Sequence, residues 1–347
     1  MMEMAWLWLV VGLAFFLAWN LGANDVANAM GTSVGSKVLT LRQAILLAGV
    51  LELAGAILFG QQVTVTLTGK VTHLQVFNEY PHLFVLSIVA ELLATCLWIF
   101  CATARGWPVA SSHAAVGAIA GANAIAFGFN ALDGSTLGTI TLAWLLTPLV
   151  SGLVSASFFA ILQYGILDRS EPSERWIHWT PWLSVAVVGL VGGLVLPTAI
   201  NPLANFLKLH WNWNLPRQDY VLGLGFLGVL ALTAWVSQAV NKRTGDRWLF
   251  QSGDAPSTRT EVEQQLGKFQ IVSACCMAFA HGSNDVGHAV APLASFAVFW
   301  QTQTIPSSVV SVPLWIWDWG HWHCGGIGHL GKESHFDGGG RPDSVKA

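Results

Sequence analysis

Two eight-residue segments of this sequence carry the same acidic motif, 260 positions apart. The first reads Gly-Ala-Asn-Asp-Val-Ala-Asn-Ala over 22–29, and the second reads Gly-Ser-Asn-Asp-Val-Gly-His-Ala over 282–289. Both follow apolar stretches, where an ionised carboxylate is costly unless it is paired, protonated or bound to a cation. Asp25 and Asp285 are therefore predicted to bind cations, because carboxylate oxygens suit a hard cation such as sodium.

The residues around each aspartate add further ligands. Glycine at the start of the motif, Gly22 and Gly282, predicts that each helix breaks there and frees backbone carbonyls and amides. Carbonyl oxygens and the side-chain oxygens of Asn24 and Asn284 suit the cation, while amides at a new helix N-terminus suit an anion. The competing interpretation is that Asn-Asp only caps a helix after a tight turn, which would have to occur twice in matching contexts.

A third polar segment, Gly-Trp-Pro-Val-Ala-Ser-Ser-His over 106–113, opens another apolar stretch. Pro108 fits the first turn of a helix. Ser111, Ser112 and His113 then place hydroxyls, a ring nitrogen and backbone amides at one helix N-terminus, which suits an oxyanion. A plain N-terminal cap explains the same residues equally well.

Two glutamates also fall inside apolar stretches. Glu52 lies in Leu-Glu-Leu-Ala-Gly-Ala and Glu91 lies in Ala-Glu-Leu-Leu-Ala. Ionisable residues within membrane helices are functional candidates by default. Hydrogen bonding between neighbouring helices is the alternative role for both.

The composition identifies the class of protein that must hold these residues. Of 347 residues, 53% are hydrophobic and 10% are charged, the net charge is -3 and the mean hydropathy is +0.54. A disordered chain needs more charge and less apolar content, and a nucleic-acid binder needs a basic surface. So few charges are also unsuited to covering a soluble enzyme. The composition indicates a polytopic membrane protein.

Apolar segments long enough to approach a membrane span recur along the chain. They are 5–21, 42–60, 83–103, 108–128, 138–164, 182–199, 219–240 and 267–281. The predicted fold class is therefore all-α.

The basic residues predict an orientation for these spans. If the N-terminus lies outside and the crossings alternate, ten lysines and arginines fall in inner connections and three in outer ones, which satisfies the positive-inside rule. The two acidic motifs then belong to halves of opposite topology. Inverted-topology repeats with broken helices are typical of transporters whose site lies at the repeat interface.

The predicted organisation has four parts. We assign 1–240 to the first transmembrane repeat and the helices that follow it, 241–266 to a cytoplasmic linker, 267–316 to the start of the second repeat and 317–347 to an anomalous tail. On this assignment the second repeat is incomplete.

The tail lacks any apolar period although a second repeat should continue with spanning helices. Its histidines and cysteine could be interpreted as a metal cluster; they are His321, His323, Cys324 and His329. We favour a reading-frame shift, because suitable codons for 321–335 read one base later can encode an apolar segment with a basic end. Sequencing the encoding DNA tests this, and an uninterrupted frame in independent isolates would refute it.

The doubled motif is similar to the signature of the inorganic phosphate transporter (PiT) family, which carries Gly-Ala-Asn-Asp-Val-Ala-Asn-Ala in each of two inverted halves. The segments 108–113 and 278–286 also resemble that family. The resemblance implies cation-coupled transport of inorganic phosphate by alternating access, driven by sodium or protons. It carries the family's site residues over to Asn24, Asp25, Asn28, Ser111, Ser112, Asn284 and Asp285. Glu52 matches a glutamate that matters for transport in the family.

This sequence departs from the family pattern at His288, which stands where the family usually has asparagine. A histidine there can donate or accept a hydrogen bond, and its charge would follow pH.

The remaining expectations follow from this reading. The chain is expected to be no enzyme, to use no cofactor besides the coupling ion, and to lie in the plasma (inner) membrane as a multi-pass protein. Its expected partners are inorganic phosphate and the lipid bilayer, without nucleic acid, and a homo-oligomer is left open. The alternatives are a transporter of another oxyanion such as sulfate, or a membrane remnant that does not transport.

Overall fold

The computed structural model describes residues 2–69, 71–189, 224–235 and 258–305. Within these ranges the regular structure is helical, as predicted, and the one extended feature is a single bridge between Thr72 and Leu132. The α-helices are α1 (Met2–Gly35), α2 (Leu41–Gly69), α3 (Pro81–Ala104), α4 (Ser111–Phe127), α5 (Gly134–Ala160), α6 (172–189), α7 (Leu224–Trp235) and α8 (Thr258–Thr302).

Four of the described helical segments are long and apolar enough to cross a membrane. They are Met4–Gly35, Leu41–Gly60, Pro81–Ala104 and Gly134–Leu167, the last of which includes a π-helical segment over Ile161–Leu167. These segments match predicted spans and agree with a membrane protein. The first two of them carry Asp25 and Glu52, whereas Asp285 lies on α8.

Three parts of the predicted organisation meet the limits of the described residues. The predicted spans 182–199 and 219–240 lie partly outside them, and the tail 317–347 lies wholly outside them. The short span predicted at 267–281 is part of the 45-residue helix α8. The polar residues 258–266 form the first turns of α8, because their glutamates, glutamines and leucine favour helix.

The chain reverses between helices at residues suited to turns. Pro81 begins α3, where its missing amide hydrogen costs no helical bond. Gly106 (φ +65°) then turns the chain toward α4, and Gly128 (φ +81°) ends α4. At the start of α5, the Thr136 amide donates to the Asp133 carboxylate at 2.9 Å, and this bond lowers the pKa of Asp133. The sharp turn at Gly106 brings the start of α4 back toward α1.

Two apolar clusters hold the part of the chain that carries the motifs. The first packs α1, α3 and α8 together, and its largest fully buried members include Leu17, Leu92 and Phe296. The second is rich in alanine and joins α1, α2 and α8; it includes Ala29, Ala48 and Ala278. Small side chains of this kind let membrane helices approach closely.

Helices α2 and α8 meet through a pair of glycines. A methyl group at Gly282 would overlap the backbone of Glu52, and one at Gly55 would overlap the carbonyl oxygen of Phe279. Each glycine therefore lets the backbone of the other helix come closer than any side chain would permit. The contact fixes the second motif beside Glu52.

The described residues fall into two compact units, Met1–Ala143 with Ala274–Ala347, and Trp144–Ser273. The second unit has its own apolar core, which includes Ile166, Leu183 and Val262. There the Trp176 ring packs edge-on against Phe269, with 5.6 Å between ring centroids. Both acidic motifs belong to the first unit, and the predicted repeat boundaries stay a prediction.

Candidate functional site

The two motif aspartates lie next to each other inside the first unit. Asp25 is on α1 and Asp285 is on α8, and both side chains are buried. A carboxylate oxygen of each and a ring nitrogen of His281 lie within 4.8 Å of one another. Among the described residues, no lysine or arginine pairs with either aspartate. Because two buried carboxylates at this spacing repel each other, the arrangement favours a cation or a proton between them.

Both motifs lie within continuous helices, so the predicted breaks at Gly22 and Gly282 are wrong. Helix α1 runs through 22–29 and α8 runs through 282–289 without interruption. The remaining residues of both motifs can be accommodated inside a helix. Gly282 does not end α8; it allows the backbone of Glu52 to approach closely. Since the backbone groups stay within the helices, cation ligands at the motifs must come from side chains.

The same local contact recurs in the two motifs. The Asn28 amide donates to Asp25 Oδ1 at 3.3 Å, and His288 Nε2 lies 3.5 Å from Asp285 Oδ1. In each case the residue three positions after the aspartate lies on the same helical face. His288 thus occupies the place of the usual asparagine with a comparable contact.

The start of α4 contributes two hydroxyls to the second motif. Ser111 Oγ donates to Asp285 Oδ1 at 2.7 Å. Ser112 Oγ lies 3.1 Å from His288 Nε2 and accepts from the Asn284 amide at 2.9 Å. The hydroxyls of Ser111 and Ser112 thus contact side chains of α8. The N-cap of α4 is Ala110, which makes no side-chain capping bond.

Asn24 connects α1 to the turn that precedes α4. Its amide donates to Thr103 Oγ1 at 3.1 Å and to the Trp107 carbonyl oxygen at 3.3 Å. Its Oδ1 is buried and receives no hydrogen bond from a described residue, and the same holds for Asp25 Oδ2. Buried acceptors without donors are rare in proteins. Two such oxygens on neighbouring residues fit ligands of a cation.

The other predicted residues occupy different positions around this centre. Glu52 is fully buried on α2 and lies close enough to Asp25 to interact with it electrostatically. Asn28 and Asn284 are exposed, so the buried aspartates have polar neighbours at the surface. His113 is exposed on α4. Glu91 lies on α3 and lines a separate cavity of about 50 Å³, which His288 also lines.

Three groups at the centre were not predicted from the sequence. His281 lies four positions before Asp285, a spacing that places both on one helical face, so its position could have been inferred. Thr103 and the Trp107 carbonyl contact Asn24 across 79 and 83 positions. No local pattern signals these two contacts, because they depend on how α1 packs on the end of α3.

The arrangement offers cation ligands and anion donors side by side. The acidic oxygens of Asp25 and Asp285 suit sodium. The first amides of α4 have no acceptor within their own helix, and with the positive end of the helix dipole they suit an oxyanion. The hydroxyls of Ser111 and Ser112 lie at that same helix start.

Known proteins resemble this chain over most of its length. A model of the phosphate transporter family matches residues 21–328. A Haemophilus influenzae protein named "Putative phosphate permease" is 33% identical over 295 residues, covering 84% of this chain and 66% of the relative. The chloroplastic inorganic phosphate transporter 2-1 of Arabidopsis thaliana is 33% identical over 319 residues, covering 88% of this chain and 53% of the relative.

A solved structure described as the sodium-dependent phosphate transporter also matches. Its TM-score is 0.77 at 27% identity, and the match covers 95% of this chain and 76% of that one. The chain spans between about half and three quarters of the length of these proteins. The family match extends over most of the chain and includes both acidic motifs, and on this basis the chain belongs to the phosphate transporter family.

Proposed function

We propose that this protein carries inorganic phosphate across a membrane together with a cation, and that sodium is the coupling ion. The observation that carries the proposal is the buried pair of motif aspartates, which come from opposite ends of the sequence and have no lysine or arginine partner among the described residues. The names of the relatives support phosphate as the substrate. The sodium-dependent relative supports the choice of ion.

The cation explains how acidic residues can lie near an anion site. Two unit charges about 4 Å apart interact by about 4 kcal/mol at an effective dielectric constant of about 20. Asp25, Asp285 and the nearby Glu52 would therefore repel phosphate strongly if they were ionised and unpaired. One or more sodium ions bound by these oxygens would offset that repulsion, so phosphate and sodium would bind together or not at all.

The start of α4 is the proposed phosphate site. Its amides and the hydroxyls of Ser111 and Ser112 would face the phosphate oxygens, and the exposed amides of Asn28 and Asn284 would add donors. Ser111 also contacts Asp285. Through this contact the proposed anion and cation sites share one residue.

Transport by alternating access is part of the proposal. We expect a multi-pass protein of the plasma (inner) membrane whose two motifs belong to inverted-topology halves. The short distance between Asp25 and Asp285 supports one shared site between the motifs. Movement of either half around that site would expose it to one side of the membrane and then to the other.

Uptake by the purified chain in lipid vesicles tests the function. We expect radiolabelled phosphate to accumulate when sodium is placed outside, and not when sodium is replaced by choline at equal ionic strength. Excess unlabelled phosphate should compete, and sulfate should not. Uptake of radiolabelled sulfate in place of phosphate would indicate a transporter of another oxyanion, whereas no uptake of either oxyanion would indicate a membrane remnant.

Substitution of Ser111 by alanine tests the link between the cation and anion sites. The lost hydroxyl leaves Asp285 with one fewer charged hydrogen bond, and such a bond contributes about 1.5–3 kcal/mol. We expect the sodium concentration for half-maximal uptake to rise by roughly tenfold or more. Ser135→Ala, at an exposed position of α5, is the matched control. Equal sodium dependence in both variants would contradict a shared role for Ser111.

A further inference from the structure

A small cavity, largely apolar but with several polar groups in its lining, lies among α1, α3, α4 and α8, apart from the aspartate pair. Its volume is about 50 Å³. A water-sized occupant needs roughly 15 Å³ by this measure, so the cavity can hold roughly three of them. Glu91 lines it from near the middle of α3, between apolar neighbours. An ionised carboxylate at that depth needs a compensating charge.

The groups around Glu91 do not supply that charge. Among the described residues, none donates a hydrogen bond to the Glu91 carboxylate, and no lysine or arginine lines the cavity. The one other titratable lining residue is His288, whose Nε2 lies close to Ser112 and Asp285. The compensating charge would therefore come from a bound proton or a bound cation.

The hydroxyls of the cavity are arranged as acceptors. Thr95 Oγ1 donates to the Glu91 carbonyl oxygen at 2.7 Å, and Ser295 Oγ donates to the Ala291 carbonyl oxygen at 2.9 Å. Each hydroxyl has one proton to donate, so these bonds leave only lone pairs for an occupant.

Asn123 completes this pattern. Its amide donates to the Ile119 carbonyl oxygen at 2.8 Å and to Thr72 Oγ1 at 3.1 Å, so both of its protons are engaged. Ser87 in turn donates to Asn123 Oδ1 at 2.8 Å. The cavity thus presents a carboxylate and hydroxyl oxygens with few donors, and this combination favours a hard cation over an anion.

We propose that the Glu91 cavity is a binding site for a sodium ion, separate from the site at Asp25 and Asp285. The ion would lie among the Glu91 carboxylate and the hydroxyls of Ser87, Thr95 and Ser295, with water completing its coordination. His288 lines this cavity and contacts Asp285, so an ion here would lie next to the transport site. The proposal extends the cation-coupled transport proposed above, but sodium binding here is measurable without phosphate.

Binding of radioactive sodium to the purified full chain, in phosphate-free buffer, tests the proposal. We expect Glu91→Gln to lose one bound sodium relative to the wild type. Glu79→Gln makes the same chemical change at an exposed position and should bind as the wild type does. Asp25→Asn should keep the Glu91-dependent sodium, and the double variant with Glu91→Gln should lose it. Equal binding by Glu91→Gln and Glu79→Gln would overturn the assignment.

A second pair of variants guards against a folding defect in Glu91→Gln. Thr95→Val keeps the side-chain shape without the hydroxyl, and Thr95→Ser keeps the hydroxyl. We expect sodium affinity to fall about fivefold in Thr95→Val, the effect of roughly 1 kcal/mol from one polar contact, and to recover in Thr95→Ser. Unchanged affinity in Thr95→Val would remove Thr95 from the site and contradict the proposed coordination.

The outcomes also separate this proposal from the proposed function. If the wild type does not transport phosphate but Glu91→Gln loses a sodium ion, the cavity assignment stands and the transport proposal fails. If sodium drives phosphate uptake while Glu91→Gln binds sodium as the wild type does, transport stands and the cavity assignment fails.

Discussion

Substitution of Asp25 by asparagine is expected to abolish sodium-driven phosphate uptake while leaving the protein inserted in the membrane. The change keeps the size of the side chain and removes one of the two charges that would hold the cation. A charge pair about 4 Å apart contributes about 4 kcal/mol at an effective dielectric constant of about 20. Sodium affinity should therefore fall about a thousandfold. Initial rates of phosphate uptake into vesicles, over a range of sodium concentrations, measure this effect.

A matched control makes the same change where no cation is proposed. Asp168 is exposed after the π-helical segment, and its Oδ1 accepts from the Gln163 amide at 2.8 Å. Asp168→Asn retains an oxygen for that bond, so its uptake should equal that of the wild type. Normal uptake by Asp25→Asn at wild-type sodium concentrations would reject the assigned role of Asp25.

The substitution Gly282→Ala should cause the largest loss of stability. Its methyl group would overlap the backbone of Glu52, which cannot rotate away as the end of a side chain can. Overpacking of a close contact costs about 1–3 kcal/mol and occasionally more, and an overlap with backbone belongs at the upper end. We expect a lower melting temperature and less monodisperse protein in detergent, measured by intrinsic tryptophan fluorescence and size-exclusion chromatography.

The control for this prediction is a helical glycine with open space around it. A methyl group at Gly12 on α1 would meet no atom within 4 Å outside its own helix. Because alanine favours helix over glycine by about 1 kcal/mol, Gly12→Ala should leave stability unchanged or slightly raised. A Gly282→Ala variant as stable as Gly12→Ala would show that α2 and α8 do not pack closely at this position.

The sequence predicts the fold well where it contains a long, uninterrupted apolar segment. The prediction of 83–103 agrees with α3 at Pro81–Ala104 because a single helix satisfies all the backbone groups of so long an apolar stretch within a membrane. The sequence also predicts that the two related acidic motifs act together, and the structure places Asp25 and Asp285 close to each other. The 258–266 turns of α8 were missed because hydropathy does not register a polar helix.

The predicted helix breaks failed for a reason that the sequence alone does not contain. A glycine inside an apolar segment can end the helix, or it can let a neighbouring helix approach closely. Which of the two occurs depends on the helix that packs against it. The neighbour of Gly282 is Glu52, which is 230 positions away in the chain. The contacts of Asn24 with Thr103 and Trp107, and the cavity beside Glu91, depend in the same way on packing between distant segments.

Cation and phosphate are proposed to bind as one unit beside Asp25 and Asp285. Equilibrium binding of radiolabelled phosphate to the purified chain, with sodium or choline as the cation, tests it most directly in the wild type and in Asp285→Asn. We predict that phosphate binds to the wild type only with sodium present, and that Asp285→Asn loses this binding at the same sodium concentration. Equal phosphate binding in sodium and in choline, or undiminished binding by Asp285→Asn, would contradict the claim.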